Sequence, residues 1–151
     1  MRFVIFLAGA AMALSYFVTW VEPPFAGQEF SPSFMIGERL QAVISDGSWQ
    51  ERVFVGGFAV AALAALLALI GRASGFLALL AGLSPAVLMV HFYTRANEVQ
   101  ADLGLPFTVD FQDIGQAWDV LGDFVRAGMW MYLGGGAVLL LAGLTMVLGR
   151  R

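Results

Sequence analysis

Apolar positions along the chain fall into four long blocks, Phe3–Trp20, Val53–Gly71, Ala73–Thr94 and Ala127–Gly149, and none of them contains Asp, Glu, Lys or Arg. Each block holds about the twenty apolar residues that a helix, rising ~1.5 Å per residue, needs to cross a ~30 Å hydrocarbon layer. The pattern therefore predicts an all-α membrane protein with four transmembrane helices. Between the first and second blocks lie the 32 residues of Val21–Arg52, and between the third and fourth the 32 residues of Arg95–Arg126. The second and third are joined by little more than Arg72.

The two long loops show a mixed pattern at helical spacing. In the first, Ser31-Pro32-Ser33 reads as a helix start, and Phe34, Met35, Leu40, Val43 and Ile44 line a short amphipathic run that ends near Asp46-Gly47. In the second, Phe111, Ile114, Trp118, Leu121 and Val125 recur on one face, with Asp110, Asp113, Gln116, Asp119 and Asp123 mostly elsewhere around the turn. Thr108 or Asp110 serves as N-cap after Pro106. Each loop is expected to carry an amphipathic helix suited to the headgroup plane, to the end of its own bundle or to a partner.

The second half of the chain echoes the first. GGFAVAALAALLALIGR, Gly56 to Arg72, returns 78 residues later as GGGAVLLLAGLTMVLGR, Gly134 to Arg150, with nine of seventeen positions identical; chance alone gives about four in segments this rich in Ala, Leu and Gly. Phe17, Thr19, Gln41-Ala42 and Gly47 recur 75 residues on as Phe92, Thr94, Gln116-Ala117 and Gly122. The chain reads as one integral membrane domain, residues 1–151, built from two tandem helix–loop–helix units. These span about residues 1–72 and 73–151, are inserted in the same direction, and are related by an axis along the membrane normal.

Composition strengthens the membrane assignment: 60% of residues are hydrophobic and 13% charged, more apolar surface than a soluble core of this length could bury. Arg2 ahead of an apolar run and Ala11-Met12-Ala13 resemble a signal peptide. The run continues through Tyr16, Phe17 and Trp20, however, and a retained first helix is the better reading. All eleven acids lie in the two long loops, while Arg2, Arg72, Arg150 and Arg151 flank the short side. Basic residues tie at four per side, and the short basic ends place both termini in the cytoplasm and the long loops in the periplasm of a bacterial inner membrane.

Candidate chemistry is sparse. With no cysteine there is no disulfide, thiolate metal site or thiol relay, and the single His91 cannot supply two axial haem ligands. No ionisable Asp, Glu, Lys, Arg or His lies near a helix centre, which counts against a proton-coupled path. His91, one turn from the end of the third helix, reads as an interfacial side chain ahead of a pH-sensitive one. The acids of the second loop, with Glu98 and Asp102, lack the convergent density of a calcium site and read as a solvated face. Ser84-Pro85 is expected to bend the third helix. No catalytic, cofactor or metal residue is assigned, and no nucleic-acid partner is expected.

Packing surfaces are plentiful instead. Ser74, Ala78, Gly82 and Ala86 form a four-spaced ladder on the third helix, Gly57, Ala61 and Ala65 one on the second, and Gly9 and Ala13 a short one on the first. Gly57, Ala61, Ala78, Gly82, Gly134 and Gly135 are the expected helix-packing positions. Trp20, Trp49, Trp118 and Trp130 fall near or beyond the boundary of the apolar blocks as interfacial anchors. Trp49 and Trp118, with Asp113 and Asp119, are the candidate partner contacts. The expected partners are the bilayer and either other membrane proteins or further copies of the chain. The function expected first is a non-enzymatic accessory, assembly or scaffolding subunit of a membrane complex. A small oligomeric transporter or pore with an acidic mouth comes second, and a lipid-directed enzyme using Asp113 or Glu98 third.

Overall fold

A computed structural model describes residues 1–22, 27–95, 98, 113, 115, 118, 119, 122 and 125–149 of the chain. The elements formed by these residues are helical: α1 (Arg2–Leu14), α2 (Pro32–Ile36), a 3-10 turn (Gly37–Arg39), α3 (Leu40–Asp46), α4 (Trp49–Leu69), α5 (Gly75–Thr94) and α6 (Ala127–Leu148). Three of them, α4, α5 and α6, are long and apolar enough to cross a membrane. With every element among the described residues helical and three of them long and apolar enough to span, the chain is a membrane protein. Most of the second-loop pattern, including Asp102, Pro106, Thr108, Asp110, Phe111, Ile114, Gln116, Leu121 and Asp123, lies outside the described residues, as do Arg150 and Arg151.

Local chemistry sets the helix ends. α4 begins four residues ahead of its charge-free block because Ser48 and Glu51 form a capping box: the Ser48 hydroxyl accepts from the Glu51 amide (3.3 Å), and the Glu51 carboxylate accepts from the Ser48 amide (2.8 Å). Glu51 and Arg52 thus belong to its first turn. At the other end Gly71 takes φ +84°, the Gly71 amide donates to Ala68 (3.2 Å) and the Arg72 amide donates to Leu67 (2.7 Å). These two bonds satisfy carbonyls that the helix leaves open, and a residue with a Cβ would be strained at that φ. Ser74 then caps α5 through the Leu77 amide (3.4 Å), so α4 and α5 are antiparallel neighbours joined by one tight turn.

The first helix differs from its apolar block. Instead of running to Trp20, α1 stops at Leu14 after 13 residues, about 20 Å of rise and short of a ~30 Å hydrocarbon layer. The chain leaves it through successive tight turns, with Tyr16 donating to Ala13, Phe17 to Leu14 and Val18 to Ser15. The Ser15 hydroxyl is buried and donates to the Met12 carbonyl, and the Trp20 indole folds back to donate to the Ser15 carbonyl (2.7 Å). An apolar block cannot distinguish such a folded-back aromatic segment from two more turns of helix.

The four longer helices close a ring in which α1 and α5 each pack between α4 and α6. The centre is filled by Ile5, Met12, Phe58, Ala61, Ala64, Ala78, Ala81, Tyr132 and Leu139. Because lipid offers no hydrophobic drive between helices, close van der Waals approach has to hold them together, and small residues permit it. A Cβ added to Gly9 would sit 2.8 Å from the Ala61 carbonyl oxygen, and one on Gly135 2.8 Å from the Ala8 carbonyl oxygen. Along α5–α6 the approach is tighter still: Gly75, Gly82, Gly136 and Gly143 all face the opposite helix with no room for a side chain. The α5 helix runs on through Pro85, whose ring fills the space over Gly136.

Candidate interaction site at the long-loop end

The end of the bundle that bears the long loops is built from aromatic rings and large side chains instead of Ala and Gly. Tyr16, Trp20, Phe54, Phe58 and Tyr132 form one cluster; Trp20 lies 4.8 Å from Tyr132 and 5.4 Å edge-on from Phe54 between ring centroids. Offset and edge-on contacts of this kind add to area burial. Their polar handles are satisfied inside the protein. Besides the Trp20 indole, Ser84 links three elements, its hydroxyl donating to the Val53 carbonyl of α4 (2.9 Å) and lying 3.1 Å from the Tyr132 hydroxyl of α6. Among the described residues no buried side-chain polar atom lacks a partner.

The segment after α1 is tied across this end. Val21 pairs with Phe30 and Val125, the Arg126 amide donates to the Trp20 carbonyl (2.7 Å), and the Gly128 amide to the Thr19 carbonyl (3.1 Å). Arg126 Nε also meets Glu22 Oε2 at 2.8 Å. From Phe30 the chain enters the α2–α3 arm. Ser31 caps it by accepting from the Phe34 amide (3.3 Å), with Pro32 in the first turn as the sequence pattern predicts. Only Pro32 and Val43 of the arm are buried; Phe34, Met35 and Ile44 are 68%, 62% and 63% exposed. The amphipathic run therefore forms, with Val43 turned inward and Phe34, Met35 and Ile44 turned away from the bundle.

The candidate partner contacts sit at this end without converging. Trp49 opens α4, is half-exposed, and stands edge-on to the His91 ring at 5.0 Å. Trp118 is exposed and lies 5.5 Å from Trp130 of α6. Asp113 and Asp119 are exposed, the Asp113 carboxylate accepting from the Gly115 amide (3.1 Å), and Glu98 is paired with Arg95 at 3.2 Å. Among the described residues no three His, Asp or Glu side chains come together as a metal site. Of the small-residue positions, Gly57 faces Ser84, Ala61 and Ala78 are fully buried, Gly82 faces Gly136 and Leu140, and Gly135 faces α1. Gly134 faces open space. Trp20 is not a peripheral anchor but part of the aromatic cluster.

Sequence reasoning did not find a cleft of about 570 Å³ beside this cluster. Its walls are Trp20, Phe54, Pro85, Leu88, Met129 and Leu133, and Gln50 and His91 stand at its rim. The Gln50 amide nitrogen lies 3.1 Å from His91 Nε2. With the amide donating, the ring proton is on Nδ1, a tautomer assigned from the bonding pattern. Tyr132 offered the one early signal, a hydroxyl within an apolar block that requires an internal partner. The arrangement presents apolar surface and hydrogen-bonding groups and holds no nucleophile next to a base. No protein-family model, curated protein or solved structure matches the chain.

Proposed function

We propose that the chain is a non-enzymatic accessory, assembly or scaffolding subunit of a bacterial inner-membrane complex, and that it engages its partner through the long-loop end. The observation that carries this reading is the outward-turned apolar face of the α2–α3 arm. Phe34, Met35 and Ile44 lie next to Glu38, Arg39 and Asp46, a composition that suits a protein contact at the membrane surface. The packed centre of the ring supports it further, since Ile5, Met12, Phe58, Ala61 and Leu139 fill the space among α1, α4, α5 and α6 with apolar side chains.

In the same reading α1, though shorter than a full span, is the fourth membrane-embedded helix, and the chain is two tandem units. Burial supports the duplication. Five of the six buried residues of α4, Gly57, Phe58, Ala61, Ala64 and Ala65, have buried counterparts 78 residues on in α6, Gly135, Gly136, Leu139, Ala142 and Gly143; the sixth, Ala68, corresponds to the half-buried Met146. Gly57 faces α5 while Gly135 faces α1, the exchange that a two-fold axis along the membrane normal produces. Arg2 lies beside the short turn, 3.5 Å from a Cβ added at Gly71, which gathers basic charge at the end assigned to the cytoplasm.

Photo-crosslinkers placed at Phe34 and Trp118 in native membranes test the proposal, with Leu63 and Leu141 as controls on exposed faces of α4 and α6. The expected result is a discrete protein adduct from the first pair and none from the second. Protein adducts absent from all four positions, together with ion or solute flux in liposomes holding the purified chain, would replace the scaffold reading with the pore.

A further inference from the structure

The cleft at the long-loop end follows from where the small-residue contact between α5 and α6 stops. From Gly75 to Pro85 the two helices meet through Gly75, Gly82, Gly136 and Gly143, and the last glycine contact is the Pro85 ring on Gly136. One turn further, the facing residues are Leu88 and Met89 on α5 and Met129, Tyr132 and Leu133 on α6, all of which line the cleft. Glycines hold the backbones together below this point. Above it larger side chains keep them apart, with Trp20 and Phe54 forming the floor.

We propose that this cleft holds one acyl chain of a membrane phospholipid, with the ester group of that lipid at the Gln50–His91 rim. Leu88, Met89 and Leu133 belong to membrane-spanning helices, so the phase beside the cleft is hydrocarbon. At about 570 Å³ it falls within the ~300–1,000 Å³ range of ligand sites. An empty apolar cleft forfeits dispersion contacts along its whole lining, and water within it would find no polar partners. The Trp20 indole and the Tyr132 hydroxyl, the polar groups of the inner wall, are engaged by Ser15 and Ser84. A polypeptide segment in the cleft would have amide and carbonyl groups to satisfy against these walls, whereas an acyl chain has none.

Polar lining begins at the rim. Gln50 is in the first turn of α4, and His91 and Tyr93 are in the last turn of α5. With Gln50 donating to His91 Nε2, Nδ1–H of the imidazole is a donor available to an ester carbonyl. These residues stand at the ends of candidate spans, where the ester linkages of a bilayer would meet them. The inference concerns lipid alone and stands whether or not the chain is a scaffold.

The test uses the full-length protein in vesicles of phosphatidylethanolamine and phosphatidylglycerol doped with a phospholipid carrying a diazirine in mid-acyl chain. After illumination, mass spectrometry should find Leu88, Met89, Met129 and Leu133 labelled several-fold more than Leu63 and Leu141, which face lipid elsewhere. Filling the cleft with Leu133→Trp should bring cleft labelling down to the level of the two controls, and the control labelling should not change. Equal labelling of cleft and controls in the unaltered protein overturns the proposal, as does undiminished cleft labelling in a Leu133→Trp protein that melts normally. Should that variant fail to fold, Gln50→Leu with His91→Leu removes the rim instead. The proposal then requires less cleft labelling at unchanged control labelling, and no decrease overturns it.

Discussion

Near the short turn α5 and α6 meet through Gly75, Gly82, Gly136 and Gly143, while toward the long loops the same two helices face each other through Leu88, Met89, Met129 and Leu133. The lower half buries backbone against backbone and leaves no space. The upper half leaves a cleft, an aromatic cluster and a rim of hydrogen-bonding groups. In a membrane, where apolar side chains gain nothing by leaving lipid, close approach holds a bundle together, and wider side chains open surface for something else to occupy. Close packing and open surface thus separate along a single helix pair, with Pro85 at the boundary.

The largest expected effect comes from breaking the lower half. A Cβ on Gly82 would meet the Leu140 amide and the Gly136 carbonyl oxygen (2.6 Å), both of them backbone atoms that no rotamer change can move aside. Gly82→Val should therefore separate α5 from α6 and destabilise the protein by about 3 kcal/mol or more, at the upper end of overpacking costs. Melting in detergent, followed by circular dichroism, reads this directly. An unchanged transition would mean that the two helices are not held by glycine contact.

At the boundary the expected loss is smaller. Ser84→Ala removes the hydroxyl that joins the Val53 carbonyl to the Tyr132 hydroxyl and should cost about 1 kcal/mol, the scale of one interhelical hydrogen bond in a membrane protein. Tyr132→Phe should overlap with it, so that the double variant is less destabilised than the sum of the two. Additive losses would show that the pair at 3.1 Å contributes no coupling.

This division also decides what was legible in advance. Charge-free blocks locate α5 and α6 to within two residues at each end, because in lipid a helix is bounded where charge begins. They misplace the start of α4 by four residues, since the Ser48–Glu51 capping box continues the helix into charged residues. They misplace the end of α1 by six, since Ser15 and Trp20 make a turn from residues as apolar as a span. The small-residue ladders point to Gly82 but do not distinguish Gly134 from Gly135, which differ by 100° around one helix. The cleft was hidden because it depends on side-chain size on two helices 45 residues apart, Leu88 and Leu133, and no one-dimensional pattern relates them.

At the upper end, the tie between the segment after α1 and the start of α6 is held mainly by backbone bonds, with the Glu22–Arg126 pair added on the surface. Both side chains are a little under half exposed, so solvent screening reduces the pair to about 0.5 kcal/mol, and salt weakens it further. Arg126→Ala should lower the melting transition slightly at low ionic strength and not at all at high salt. A large, salt-independent loss would give this contact a structural importance that the exposed geometry does not support.

The smallest effect is the most discriminating, because Gly134 and Gly135 are adjacent in sequence and opposite in surroundings. A Cβ on Gly134 meets nothing within 4 Å, whereas one on Gly135 lies 2.8 Å from the Ala8 carbonyl oxygen. Gly134→Ala should leave stability within about 0.5 kcal/mol of the unaltered protein, since an exposed helix position gains from alanine and loses no contact. Gly135→Ala should instead push α1 away from α6 and lower the melting transition clearly. Equal losses from both would mean that the face bearing Gly134 is also in contact. If the Gly134→Ala loss grew with protein concentration in the membrane, the contact would be with a second copy of the chain. The open space beside Gly134 would then belong to an interface between copies.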